Sequence, residues 1–423
     1  MAVIEALQGL EILDSRGNPT VACTCILDNG IRATASVPSG ASTGSKEAHE
    51  LRDHDSERYR GKGVLKAISM IENQIAPVLL GVDPQEQEAI DDRMQQLDGT
   101  SNLEVLGANA ILGVSLAVAK AAALDSGKPL YAYMGGAEQY RLPVPFMNVL
   151  NGGAHAANNI DIQEFMIVPT GFSCFSEALR AGTEIYHALA HILHRDGLST
   201  SVGDEGGFAP NIPSIDMAFE YLLEAIAAAG YKVGKEVQLA IDVAASEFYE
   251  AEQYHLTGIG KQYSAAEWVE VLADLVARYP IMSIEDGMAE DDYAGWKLLT
   301  ERLGDQVQLV GDDVFVTQAR VLRKGIDQHI GNAILIKPNQ VGTLTGTLLT
   351  IGLAKQVGYS AMISHRSGET DDTFIADLVV ACGTGQIKTG APCRGERLAK
   401  YNRLLQIEQT LGDAALFGMD SAI

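Results

Sequence analysis

Six polar residues, Asp242, Glu285, Asp312, Lys337, His365 and Lys388, each follow a short apolar run, at intervals of 43, 27, 25, 28 and 23 residues. A strand, a helix and two short loops use about 25 to 30 residues, so this period marks the ends of successive parallel strands. The runs V-Q-L-A-I-D, I-M-S-I-E-D, V-Q-L-V-G-D-D, A-I-L-I-K and S-A-M-I-S-H are nearly continuous in apolar residues, as strands covered on both faces should be. In a β/α barrel such ends share one mouth, where catalytic groups gather from several strands. Carboxylates there suit a hard cation, and lysines suit proton transfer or anion binding. One charged strand end is as often a solvated cap. Six in series point to an enzyme site spread over a barrel.

At 423 residues and 47% hydrophobic, the chain is long enough for a barrel plus one smaller domain. Asp and Glu outnumber Lys and Arg by 55 to 31, giving a net charge of -24 with no basic stripe, which argues against a nucleic-acid partner. The five cysteines form no C-x-x-C and have no His at zinc-finger spacing, so neither a zinc site nor a disulfide framework is expected. The longest apolar stretch, near Ile111 to Ala119, is too short to span a bilayer, and the N-terminus has no basic region leading into an apolar one. A cytoplasmic protein without membrane insertion is expected.

Residues 3 to 36 read as strands, with a hairpin at Asp28-Asn29-Gly30. Helical patterns follow near 63 to 80, 85 to 97 and 108 to 125. Gly127-Lys128-Pro129 and Gly135-Gly136 punctuate the chain before the strand-then-helix pattern begins. The expected organisation is an N-terminal α+β domain over 1–135 and a β/α barrel over 136–423.

The motifs in order are D-S-R-G-N-P-T (14 to 20), S-V-P-S-G-A-S-T-G (36 to 44), N-G-G-A-H-A-A-N-N (151 to 159), Q-E-F-M (163 to 166), G-D-E-G-G-F-A-P (203 to 210), D-V-A-A-S-E-F (242 to 248), S-I-E-D (283 to 286), G-D-D (311 to 313), K-P-N-Q-V-G-T (337 to 343), S-H-R-S-G-E-T (364 to 370) and K-T-G-A-P (388 to 392). Together they resemble the enolase family over nearly the whole chain. The resemblance implies an α/β fold: a modified TIM-like barrel beginning ββαα, with a smaller N-terminal α+β domain. It also implies reversible dehydration of 2-phosphoglycerate to phosphoenolpyruvate. The scheme for such sites uses a Lys or His base, with one or two magnesium ions stabilising an ene-diolate.

By the same resemblance Asp242, Glu285 and Asp312 are the magnesium ligands. The neighbouring Asp286 and Asp313 are set aside because side chains alternate along a strand. Lys337 matches the general base and Glu205 the general acid, with Glu164 favouring a proton on Glu205 by charge repulsion. Gln163 and Lys388 match substrate contacts, Arg366 and Ser367 the phosphate-binding pair, and His155 and His365 active-site histidines. Ser42, in a lid over Val37 to Gly44, matches the ligand of a second magnesium that arrives with substrate. Acidic residues common in bacterial members are replaced by Ala154 and Ala157. The implied assembly is a homodimer or larger. Two other readings stay open at this point: a related acid-sugar or racemising enzyme, and a surface or scaffold protein that kept the fold.

Overall fold

The structure is a computed structural model that describes residues 2–40, 44–136 and 139–419. Its N-terminal part opens with an antiparallel sheet of three strands, β1 (Ile4–Leu13), β2 (Pro19–Leu27) and β3 (Arg32–Ser36), in that order. The hairpin expected at Asp28-Asn29-Gly30 joins the last two, with Gly30 at a φ of 86°. Gly30 takes this left-handed turn without the penalty a Cβ would bring. Helix α1 (Ala108–Asp125) packs on the sheet, and a Cβ placed on its Gly113 would already touch Cys23 at 3.3 Å. Among the described residues α1 is the one helix long and apolar enough to cross a membrane, and 83% of it is buried inside the protein. Its alanines allow this close approach, and the burial is that of a core helix.

Eight strands close the barrel: β4 (Val144–Asn151), β5 (Glu164–Val168), β6 (Gln238–Asp242), β7 (Ile281–Glu285), β8 (Gln308–Gly311), β9 (Ala333–Ile336), β10 (Ser360–Ser364) and β11 (Gln386–Lys388). All neighbouring pairs are parallel except those of β5, which runs against both β4 and β6. Two helices, α2 (Phe175–Arg195) and α3 (Ile215–Ala228), separate β5 from β6, so the barrel begins ββαα as the resemblance implied. Phe146, Met166, Val168, Val310, Leu335 and Met362 fill its interior, and Phe417 and Met419 pack against that cluster. The barrel is therefore a packed core that leaves chemistry to its rim.

The periodic polar residues stand where the spacing predicts. Asp242, Glu285 and Lys388 end β6, β7 and β11, while Asp312, Lys337 and His365 immediately follow β8, β9 and β10. The long first interval, between Asp242 and Glu285, holds an extra three-stranded antiparallel sheet within Tyr249–Tyr263 that the apolar pattern did not announce.

Candidate active site

A pocket at the strand ends is lined by His155, Gln163, Glu164, Glu205, Asp242, Asp312, Lys337, His365, Arg366, Ser367 and Lys388. Glu285 lies beside it, buried and joined to Lys388. Every site residue proposed from the sequence thus converges here except Ser42, which lies outside the described residues.

Two carboxylates reach the mouth by a route other than a parallel strand end. Because β5 runs backwards, its first residue Glu164 lies level with Asp242, the last residue of β6. The chain then returns through α2 to the G-D-E-G-G loop, where Phe208 bonds to the backbone of Val149 and Asn151 at the end of β4. Gly206 has a φ of 88°, and its carbonyl accepts the Tyr186 hydroxyl of α2 at 2.8 Å. These restraints hold Glu205 facing Glu164 and His155, with ligand atoms of all three within 4.8 Å of one another. Asn148 of β4, which sequence reading missed, donates its amide to Glu205 Oε2 at 3.0 Å.

The two acids of this pair are shifted in opposite directions. Burial, and then the Glu205 charge, push Glu164 well above the usual carboxylate range. Burial would raise Glu205 too, but His365 and His155 outweigh it and hold Glu205 well below that range. The imidazoles themselves resist protonation, since burial lowers His155 and carries His365 down to about 4.

On the other side, the Lys388 ammonium sits between Glu285 at 2.8 Å, Asp242 at 3.0 Å and Glu164 at 3.2 Å. Burial would lower its pKa, but these carboxylates, Asp242 first, hold it well above the ordinary lysine value. Lys337 pairs with Asp312 Oδ2, and Gln340 donates to the other oxygen at 3.0 Å. Here too burial pulls the amine down and the partner carboxylate wins, so Lys337 is charged.

The premise for setting aside Asp286 and Asp313 does not hold. Both line the pocket, and with Asp312 they bring ligand atoms within 4.8 Å of one another. Asp286 has a φ of 41°, so the extended backbone ends at Glu285 and strand alternation no longer governs the next side chain. Its carboxylate accepts the backbone N–H groups of Asp312 at 2.8 Å and Asp313 at 3.0 Å, bracing the end of β8. Burial raises Asp286 well above its ordinary value and Asp313 to about 8.

An all-oxygen donor set suits magnesium. Asp242, Glu285 and Asp312 provide one, and Glu285 Oε2 is buried with no hydrogen-bond partner. Their donor chemistry suits a hard cation, but among the described residues the acidic group whose ligand atoms lie within 4.8 Å of one another is Asp286, Asp312 and Asp313, and Lys388 and Lys337 hold the carboxylates of the first three in this structure.

The N-terminal part completes the rim. Ser39 exchanges backbone hydrogen bonds of 2.8 and 2.9 Å with Gly368, just past the Arg366-Ser367 pair. Arg16 donates to the Gly40 carbonyl at 2.9 Å. Glu47 holds the Arg366 guanidinium through contacts of 3.0 and 3.2 Å, which the motif reading also missed.

A closed barrel with buried acids, lysines and histidines at its mouth, and a carboxylate set suited to a hard cation, defines a barrel lyase for an acidic small molecule. Residues 4–134 match the family described as enolase, N-terminal domain, and residues 139–422 match enolase, C-terminal TIM barrel domain. The chain belongs to the enolase family. Its activity is therefore that of a phosphopyruvate hydratase, a magnesium-using lyase that dehydrates 2-phosphoglycerate.

Proposed function

We propose that Lys337 takes the C2 proton of 2-phosphoglycerate and that Glu205 supplies the proton with which the C3 hydroxyl leaves as water. The observation that carries this reading is the convergence of both residues on one pocket, with Glu164 and the lysines brought in by different strands and Glu205 by a loop between helices. Asp242, Glu285 and Asp312 would hold a first magnesium, and Ser42 would join a second that comes with substrate. When bound, a divalent ion would offset the negative charge that builds on the substrate carboxylate. Asp312 holds Lys337 charged in this structure, and Lys337 must be neutral to accept a proton, since a lysine accepts a proton only in that form.

Glu164 serves as the partner that exchanges a proton with Glu205. Arg366 presents a planar fork to the phosphate, oriented by Glu47, and Ser367 adds a hydroxyl. Gln163, His155 and Lys388 contact the substrate, and His365 orders the Glu205 side. Closure of the loop over Val37 to Gly44 excludes water, which strengthens each electrostatic contact inside. We further infer a cytoplasmic homodimer or larger assembly, with a domain boundary at 135/136.

Adding 2-phosphoglycerate and magnesium should produce phosphoenolpyruvate absorbance that chelator abolishes and Lys337→Ala removes. Persistence of turnover in the lysine variant would overturn the assignment of the base.

A further inference from the structure

Arg397, in the first turn of the helix Gly395–Leu411, is completely buried, yet its nearest carboxylate atom, Glu396 Oε1, lies 3.4 Å from Nε with no hydrogen bond to that nitrogen. Its other two nitrogens are spent on the active-site loops. Nη1 lies 2.6 Å from His365 Nδ1 and donates to the Arg366 carbonyl at 2.6 Å. Nη2 donates to the carbonyls of Ser367 at 2.7 Å and Asp204 at 3.0 Å. One guanidinium therefore ties the S-H-R-S loop to the loop that carries Glu205.

A guanidinium offers only donors, so the His365 nitrogen facing it must be the one with a lone pair. The single ring proton is then on Nε2, which lies 3.2 Å from Glu205 Oε2 with no hydrogen bond between them in this structure. We propose that Arg397 is a positioning residue that sets the tautomer of His365 and so keeps the ring proton on Nε2, the nitrogen nearer Glu205. The second nitrogen of a histidine commonly dictates what the first can do. The charged groups facing this ring are Glu205, Arg397 and Glu369, the last paired with Lys400 at 2.8 Å, while Lys388 binds the His365 N–H through its backbone carbonyl. Arg397 is the member of that set that contacts Nδ1, and as a positive neighbour it opposes the imidazolium form.

The step-selective part of this inference rests on the assignment of Glu205 as the acid and Lys337 as the base; the tautomer part does not. In full-length wild type labelled with 15N-histidine, with His365→Asn as the assignment control, the His365 ring should remain neutral with its proton on Nε2 from pH 8 to pH 5. Arg397→Met and the charge-retaining Arg397→Lys should both admit the other tautomer and let the imidazolium appear at higher pH. In the same variants dehydration should fall by about 10- to 100-fold, the usual effect of removing a group that orients a site residue. Exchange of the substrate C2 hydrogen with solvent should stay within about threefold. A wild-type ring carrying its proton on Nδ1, or charged at pH 7, overturns the proposal without any variant having to fold. Equal loss of exchange and dehydration with an unchanged His365 ring would also overturn it. If the ring responds as expected but exchange is lost with dehydration, the assignment of Lys337 and Glu205 is what fails.

Discussion

Replacing Lys388 by methionine tests whether its ammonium stands in for a cation at the strand ends. The side chain lies within 2.8 to 3.2 Å of Glu285, Asp242 and Glu164, and all four groups are buried. Removing one partner from a buried ion pair costs about 3–5 kcal/mol, because the remaining charge keeps its desolvation penalty. The loss is not three times that figure, since Glu164 and Glu285 are already pushed well above the usual range by burial and can escape by taking up a proton. A carboxyl raised in the folded state costs nothing below its unfolded pKa and costs most above its folded one. The deficit of Lys388→Met should therefore be largest near pH 8 and shrink towards pH 5. Urea unfolding in chelator, at both pH values, measures it. Saturating magnesium should then recover more stability in the variant than in wild type, because a ligand stabilises in proportion to its preference for the folded site. Equal stability of the two proteins in chelator at pH 8, or equal magnesium increments, would refute the reasoning.

Lys337→Ala should abolish C2 hydrogen exchange, whereas Glu205→Gln should retain it and fail to dehydrate; the loss of one such group costs about 100- to 10,000-fold and is read by exchange into deuterated water. Calorimetry should find magnesium binding weakened by Asp242→Asn, Glu285→Gln and Asp312→Asn and much less by Asp313→Asn, with a comparable loss in that last variant counting against the ligand set. His365, at 6.5 unfolded and about 4 folded, costs nothing above pH 6.5. As pH falls towards 4 the unfolded chain gains a proton the folded one refuses, so stability should drop by about 3 kcal/mol, and His365→Asn should flatten that slope. Ser42→Ala should leave the first magnesium site unchanged while raising the magnesium concentration needed for turnover.

The parallel strands were legible because burial on both faces leaves a continuous apolar run, and a polar residue closing such a run is costly unless it has a task. Asp242, Glu285, Asp312, Lys337, His365 and Lys388 could therefore be placed on one rim by counting. Glu164 and Glu205 could not, since one begins an antiparallel strand and the other lies in a connection between helices. Only the resemblance of Q-E-F-M and G-D-E-G-G to family motifs brought them in. The direction of the Asp286 side chain was not legible, because a period-two argument ends where the backbone turns left-handed, and a single φ is not visible in the residue string. Asn148, Glu47 and Arg397 left no local signal, because their partners Glu205, Arg366 and His365 are distant in the chain.

The reversed strand β5 also bears on how the chain assembles. Parallel neighbours in the barrel must wait for an intervening crossover, but β4 and β5 meet across a connection of only about a dozen residues, the size of loop that closes on the ten-to-hundred nanosecond scale. This antiparallel pair has the least chain entropy to lose among the barrel's pairings, so it offers a local template on which slower, distant strands can add. Asn151 and Glu164 are cross-strand partners in that template. Part of the rim of the catalytic pocket would thus take shape at the start of barrel folding, before the lysines from the last strands arrive to neutralise it.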